Sequence, residues 1–84
     1  MITPVTYEHR PTRVEAAQWH GDYDALPVAW RASGMFHMQD GELDVATTKG
    51  MAPVSVGDYI VRSQWGTYWP IEEPVFLSNY KAVQ

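Results

Sequence analysis

The sequence contains no cysteine, few basic residues and no long apolar run. Without cysteine the chain has no disulfide framework, no thiolate zinc site and no cysteine nucleophile. The six Lys and Arg against ten Asp and Glu give a net charge of −4. That charge disfavours binding to nucleic-acid phosphates or to an anionic membrane surface. No apolar run approaches the roughly 20 residues that span a bilayer, so we expect no membrane association.

Motifs for catalysis and for ligand binding are also missing. The sequence has no Gly-x-Ser-x-Gly and no phosphate-binding glycine loop. The three histidines are His9, His20 and His37. They fall in different predicted elements, and their spacing is not that of metal ligands. We therefore predict a protein that is not an enzyme and that needs no metal or other cofactor.

The 84 residues suit a single domain, 1–84, with one small core. Pro4 and Pro11, with a polar stretch between them, predict an extended N-terminal arm over residues 1–12. The first residues lack the basic and apolar segments of a secretory signal, which favours a soluble cytoplasmic protein.

The first predicted elements are a strand and a short helix. Residues 13–19 read as a strand in the middle of a sheet, because apolar side chains fall on both of its faces. Residues of about 24–33 read as one short helix. An acidic cap precedes this segment, Pro27 falls near its start, and Gly34 follows it.

The remainder of the chain reads as strands, apart from one helical turn that is predicted over residues 72–77. The dipeptide Asp40-Gly41 between two alternating runs predicts a hairpin of residues 35–39 and 42–48. A second hairpin is predicted around Gly66, and residues 79–83 are predicted as a final edge strand. The fold class is therefore α+β, with a five- or six-stranded, mostly antiparallel sheet and the short helix packed on it.

The pair Gly57-Asp58 precedes one of these strands and predicts a structural turn. A glycine supplies unusual backbone angles, and an aspartate in such a turn accepts a hydrogen bond from nearby backbone. We interpret both residues as determinants of the fold rather than as a site.

The eleven aromatic residues are too many for a small sheet to enclose. Trp65 falls at the predicted tip of the second hairpin, where burial in the core is least expected. Tyr59 lies on the adjacent strand, and Tyr68 is expected to lie across from it in a stripe of ring faces beside Arg62. Exposed Trp and Tyr side chains are typical of protein interfaces. Trp65, Tyr68, Tyr59 and Arg62 are therefore the predicted partner-binding residues.

Three blocks of sequence carry a resemblance. They read Val14-Glu15-Ala16-x-Gln18-Trp19-x-Gly21, then Val56-Gly57-Asp58-Tyr59-Ile60, then Gly66-x-Tyr68-x-Pro70-x-x-x-Pro74-x-Phe76-x-x-x-Tyr80. In this order, over about residues 13–80, the blocks resemble a group of small, largely uncharacterised phage and prophage proteins. Val56 departs from the proline usual in that group, and Ile71 departs from a frequent cysteine. The resemblance implies a phage-encoded accessory protein in an infected bacterium and brings no activity with it.

Three functions are compatible with these features. The first is a non-enzymatic protein that binds a host bacterial protein and alters host physiology or defence. The second is a virion component, such as a decoration or connector subunit, which would use the N-terminal arm and the final edge strand in subunit contacts. The third is a sponge for a signalling nucleotide, which the sparse basic residues support poorly. The small core and surplus aromatics also predict a homodimer.

Overall fold

The computed structural model describes residues 13–81 of the protein, so the predicted arm at residues 1–12 lies outside the described residues. The described strands are β1 (Glu15–Gln18), β2 (Phe36–Gln39), β3 (Glu42–Thr47), β4 (Gly50–Val54), β5 (Tyr59–Arg62) and β6 (Tyr68–Ile71). The described helices are α1 (Val28–Ala32) and α2 (Glu73–Asn79), with a 3-10 turn at Tyr23–Ala25. Every strand pairing is antiparallel, which confirms the α+β class predicted from the sequence.

The strands divide into two three-stranded sheets rather than continuing as one. The first sheet has the order β1-β5-β6 and the second has the order β2-β3-β4. Strand β6 lies against β3 and β4, so the two sheets share one core. Packing two short sheets together encloses apolar faces that a single flat sheet of short strands would leave open to water.

The hairpin of β2 and β3 is formed as the Asp40-Gly41 dipeptide predicts. Asp40 has a φ of 52° and Gly41 a φ of 79°, so both turn residues are left-handed, as a two-residue hairpin favours. Alternation then sends Leu43 and Val45 of β3 into the core, where both are almost completely buried. Asp44 lies on the opposite face, across from Pro53 of β4. Pro53 is in an edge strand, the position in a sheet that tolerates a missing N–H.

The prediction that β1 is a central, doubly covered strand was wrong. Strand β1 is at the edge of its sheet, and β5 is in the middle. Ala16 is exposed, whereas Trp19, just past the strand, is buried. One of the two predicted apolar faces consists of the half-buried Val14 and the exposed Ala16, and small apolar side chains are common on protein surfaces as well as in cores.

The helix predicted for about 24–33 is divided in two by Pro27. Asp22 caps the 3-10 turn by accepting a hydrogen bond from the backbone N–H of Asp24 at 3.1 Å. Leu26 is extended because it precedes a proline, and α1 begins only after Pro27. The helix that remains is short, and it places Trp30 in the core.

The predicted edge strand at residues 79–83 was wrong at its start, since Asn79 is the last residue of α2. Pro74 suits the first turn of a helix, and Phe76 fastens α2 to the outer face of the first sheet by stacking on Tyr59 at 4.0 Å. Tyr80 then stacks on Phe76 at 4.8 Å. Residues 82–84 lie outside the described residues.

The core lies between the two sheets and α1. It consists of Trp19, Leu26, Trp30, Phe36, Leu43, Val45, Val54, Ile60 and Tyr68. Neither helix in the described part of the chain is long and apolar enough to cross a membrane.

Candidate partner-binding surface around Trp65

The hairpin of β5 and β6 is closed by a loop of three residues, Gln64, Trp65 and Gly66. The backbone N–H of Ser63 donates to the Thr67 carbonyl at 2.9 Å, and that of Gly66 donates to the Ser63 carbonyl at 3.0 Å. Gly66 has a φ of 82°, the left-handed conformation that ends such a loop and that glycine adopts without strain. The loop geometry is therefore set by local sequence.

The side chain of Ser63 fixes this loop from below. Its Oγ accepts hydrogen bonds from the backbone N–H groups of Trp65 and Thr67, both at 3.2 Å. It also shares a hydrogen bond of 2.6 Å with the Thr67 hydroxyl. Ser63 is only 5% exposed, so these bonds are shielded from competing water. The loop that carries Trp65 is consequently ordered without a partner.

Replacing Ser63 by alanine is expected to lower the free energy of unfolding by about 1–3 kcal/mol, because two loop N–H groups lose their acceptor in a water-poor position. Urea unfolding followed by circular dichroism measures the change. Gln64→Ala, at an exposed position of the same loop, is the control and is expected to change stability by less than about 0.5 kcal/mol. Equal effects in the two variants would contradict the role assigned to Ser63.

Trp65 projects from this loop into solvent. Trp65 is 75% exposed, the highest fraction for any large hydrophobic residue in the described part of the chain. Burying an exposed indole against a partner gains free energy in proportion to the apolar area removed from water. A loop that is already fixed also loses little conformational entropy on binding. This combination is typical of an interface anchor.

A groove lies beside the Trp65 loop, between α1 and the end of the first sheet. It has a volume of about 350 Å³. The lining residues are Glu15, Pro27, Ala29, Trp30, Ser33, Met35, Arg62, Gly66 and Tyr68. We call it the Arg62 groove. Gly66, the residue after Trp65, is one of the lining residues, so the loop that carries Trp65 borders the groove.

Arg62 supplies the positive charge of the groove. Its Nη1 donates to Glu15 Oε1 at 3.0 Å and, more weakly, to the Ser63 carbonyl at 3.4 Å. The side chains of Arg62 and Glu15 are 33% and 66% exposed, so water screens this ion pair. Within residues 13–81, Arg62 Nε and Nη2 donate to no acceptor. These two N–H groups form one edge of the guanidinium, and the side chain that carries them is one-third exposed.

The prediction that Tyr68 belongs to an exposed aromatic stripe was wrong. It pairs with Arg62 rather than with Tyr59, which places it on the face of β5 and β6 that packs into the core. Only 4% of Tyr68 is exposed, and its ring meets those of Trp30 and Phe36 edge to face, at 5.4 and 4.9 Å. Tyr68 thus contributes to the floor of the groove, but it cannot serve as a projecting contact.

Tyr59 is not part of the same surface. It lies opposite Ile71 on the outer face of the first sheet, and its ring is stacked on Phe76 of α2. The structure therefore brings Arg62 and Tyr68 together in the groove, next to the loop that carries Trp65, and it places Tyr59 on the other face of the sheet.

The pair Gly57-Asp58 forms a tight turn between β4 and β5. The Asp58 carboxylate accepts a hydrogen bond from the backbone N–H of Ser55 at 3.0 Å, and Gly57 has a φ of 100°. The Gln18 side chain crosses from β1 to donate to the Gly57 carbonyl at 3.0 Å and also to the Glu73 carboxylate. These contacts tie the turn to β1 and to α2, away from the Arg62 groove.

Sequence reasoning missed several residues of the groove. Glu15 was not singled out, although its place opposite Arg62 follows once β1 and β5 are paired in register. Trp30 carries no sequence signal for a groove, and Met35, which is 40% exposed, is the first residue of the strand predicted over residues 35–39. No local pattern announces these residues, because the groove forms where three distant segments meet.

In the part of the chain that the structure describes, no cluster of three or more His, Asp or Glu residues has the geometry to hold a metal ion. Comparison with protein-family models, with curated proteins and with solved structures finds no match for this chain.

Proposed function

We propose that this chain is a non-enzymatic, phage-encoded accessory protein that binds a protein of its bacterial host. The observation that carries the proposal is Trp65, which is 75% exposed on a loop held by the buried Ser63 side chain. An ordered, exposed indole beside a concave groove supplies both a projecting anchor and a recess for a partner side chain. The phage origin and the cytoplasm of the infected cell as the place of action come from the resemblance of the three sequence blocks.

Affinity purification from a bacterial host lysate tests this function. The tagged protein is compared with Trp65→Ala and with Val56→Ala, which removes an exposed side chain outside the Arg62 groove. We expect one host protein to be enriched by the wild type and by Val56→Ala and to be lost with Trp65→Ala. No enrichment by any of the three proteins would argue against host binding, and the proteome of purified virions would then test the structural alternative.

We further propose that the protein forms a homodimer. Exposed apolar side chains remain outside the groove on α2, at Val75 and Leu77. A domain of this size has a small core and gains stability by burying such surface against a second copy. Sedimentation equilibrium is expected to give twice the chain mass of 9.6 kDa. A mass of one chain at high concentration would contradict the dimer and leave the Trp65 proposal intact.

A further inference from the structure

We infer that the Arg62 groove recognises a carboxylate next to an apolar side chain, as in an acidic residue or a chain terminus of the partner. The assignment of the ligand to a partner protein rests on the proposed function. The chemistry of recognition rests on the groove itself, and it can be measured without knowing the partner.

The guanidinium of Arg62 selects the charged group. Its Nη1 is used by Glu15 and Ser63, whereas Nε and Nη2 have no acceptor within residues 13–81. These two N–H donors lie in one plane, and the distance between them matches the distance between the two oxygens of a carboxylate. A carboxylate therefore binds this edge of the guanidinium through two parallel hydrogen bonds. The ideal Cβ position of Gly66 is 3.7 Å from Nη2, an ordinary contact distance, so the Gly66 loop lies directly beside this edge of the guanidinium.

The remainder of the groove selects an apolar neighbour for that carboxylate. Trp30 and Tyr68 lie at the base of the groove and are only 3% and 4% exposed, so the apolar surface open to a ligand comes mainly from the other apolar lining residues, Pro27, Ala29 and Met35. Met35, which is 40% exposed, lines the wall with a flexible thioether side chain that adapts to different shapes. The volume of about 350 Å³ is near the lower end for ligand pockets and suits one or two side chains.

Charge complementarity favours a carboxylate over a phosphate. Arg62 is the one basic residue among those lining the groove, and Glu15 lies beside it. A single guanidinium matches one negative charge, whereas a phosphate monoester carries close to two and would be repelled more strongly by the Glu15 carboxylate. The same balance weighs against the nucleotide sponge at this groove.

Glu15 acts as a competitor for Arg62. It holds Nη1 at 3.0 Å, but its side chain is 66% exposed on the edge strand β1. The carboxylate of a ligand at Nε and Nη2 would experience repulsion from Glu15, and neutralising Glu15 would relieve it. Loss of the Glu15 charge is therefore expected to strengthen binding of the carboxylate, whereas loss of the Arg62 charge is expected to weaken it.

Small probe molecules test the inference by two-dimensional ¹H–¹⁵N NMR of the full chain. N-acetyl-leucine supplies a terminal carboxylate, and N-acetyl-leucinamide is its uncharged twin. N-acetyl-leucyl-aspartyl amide supplies a side-chain carboxylate, with the asparaginyl compound as its twin. We expect saturable shifts of the Ser33, Met35 and Gly66 amide signals, with dissociation constants on the order of 1 mM for the charged probes. Each charged probe that fits the groove should bind about tenfold more tightly than its twin.

Three variants identify the group responsible. Arg62→Gln is expected to abolish the preference for the charged probe, and Arg62→Lys to retain only part of it because lysine lacks the bidentate edge. Glu15→Gln is expected to strengthen binding of the charged probe by about two- to fivefold. Arg31→Gln is the control for net charge, since Arg31 pairs with Asp24 and is not among the residues lining the groove.

The outcomes separate this inference from the proposed function. Equal binding of charged and uncharged probes, or a preference that survives in Arg62→Gln with a native spectrum, would overturn carboxylate recognition. The absence of shifts at tens of millimolar probe would overturn the groove as a binding site. Neither result depends on host protein capture, which tests the proposed function alone.

Discussion

Replacement of Tyr68 by alanine is expected to lower the free energy of unfolding by about 3–5 kcal/mol, the cost of removing a large aromatic side chain from a core. The ring is 4% exposed and makes edge-to-face contacts with Trp30 and Phe36. Tyr68 also joins the first sheet to the second, because it lies on the face of β6 that packs into the shared core. Since small domains are stable by only about 5–15 kcal/mol, this variant is expected to lose a large share of its stability, and a domain at the low end of that range would be partly unfolded.

Urea unfolding monitored by tryptophan fluorescence measures this effect. Tyr68→Phe keeps the ring and removes only the hydroxyl, so we expect it to cost about 1.5 kcal/mol or less. A stability of Tyr68→Ala close to that of the wild type would show that the ring is not packed as described. Tyr68→Ala is therefore unsuitable for testing partner binding, because a loss of partner capture in this variant would reflect lost stability rather than a lost contact.

Replacement of Trp65 by alanine is expected to give the opposite result. Affinity for the captured partner should fall by at least about thirtyfold, equivalent to the 2 kcal/mol or more that defines a dominant interface residue. The free energy of unfolding should change by less than about 0.5 kcal/mol, because the residue is 75% exposed in the free protein. Isothermal titration calorimetry against the purified partner, together with urea unfolding, measures both quantities.

Two matched variants sharpen the Trp65 experiment. Trp65→Phe preserves an aromatic ring of smaller area and is expected to lose only part of the affinity. Val56→Ala removes another exposed apolar side chain and is expected to bind as the wild type does. If Trp65→Ala binds the partner with unchanged affinity, the hairpin tip is not the interface, whatever the partner is.

Local features of the fold could be predicted well from the sequence. The Asp40-Gly41 turn and the Gly66 loop were identified because their backbone angles are ones that few other residues adopt. Strand β3 followed from alternation, since a one-residue shift would have exposed Leu43 and Val45. Each of these features depends on residues that are close together in the chain.

The errors arose where the outcome depended on distant partners. The sequence of β1 is compatible with a place at the centre or at the edge of a sheet. Strand β1 is at the edge because β5 is its one neighbour in the sheet. The sequence predicts Tyr68 in an exposed stripe with Tyr59. The register of β5 and β6 pairs Tyr68 with Arg62 instead, which places its ring on the face that packs into the core.

For the candidate site, the sequence by itself determined the exposure of Trp65. A three-residue loop ending in glycine cannot bury the residue at its tip against its own two strands. The tertiary structure decided the remainder of the surface. The Arg62 groove exists because α1, the start of β2 and the end of the first sheet come together around Trp30 and Tyr68. Such a meeting depends on the packing of two sheets, a nonlocal balance of buried area that no short segment encodes.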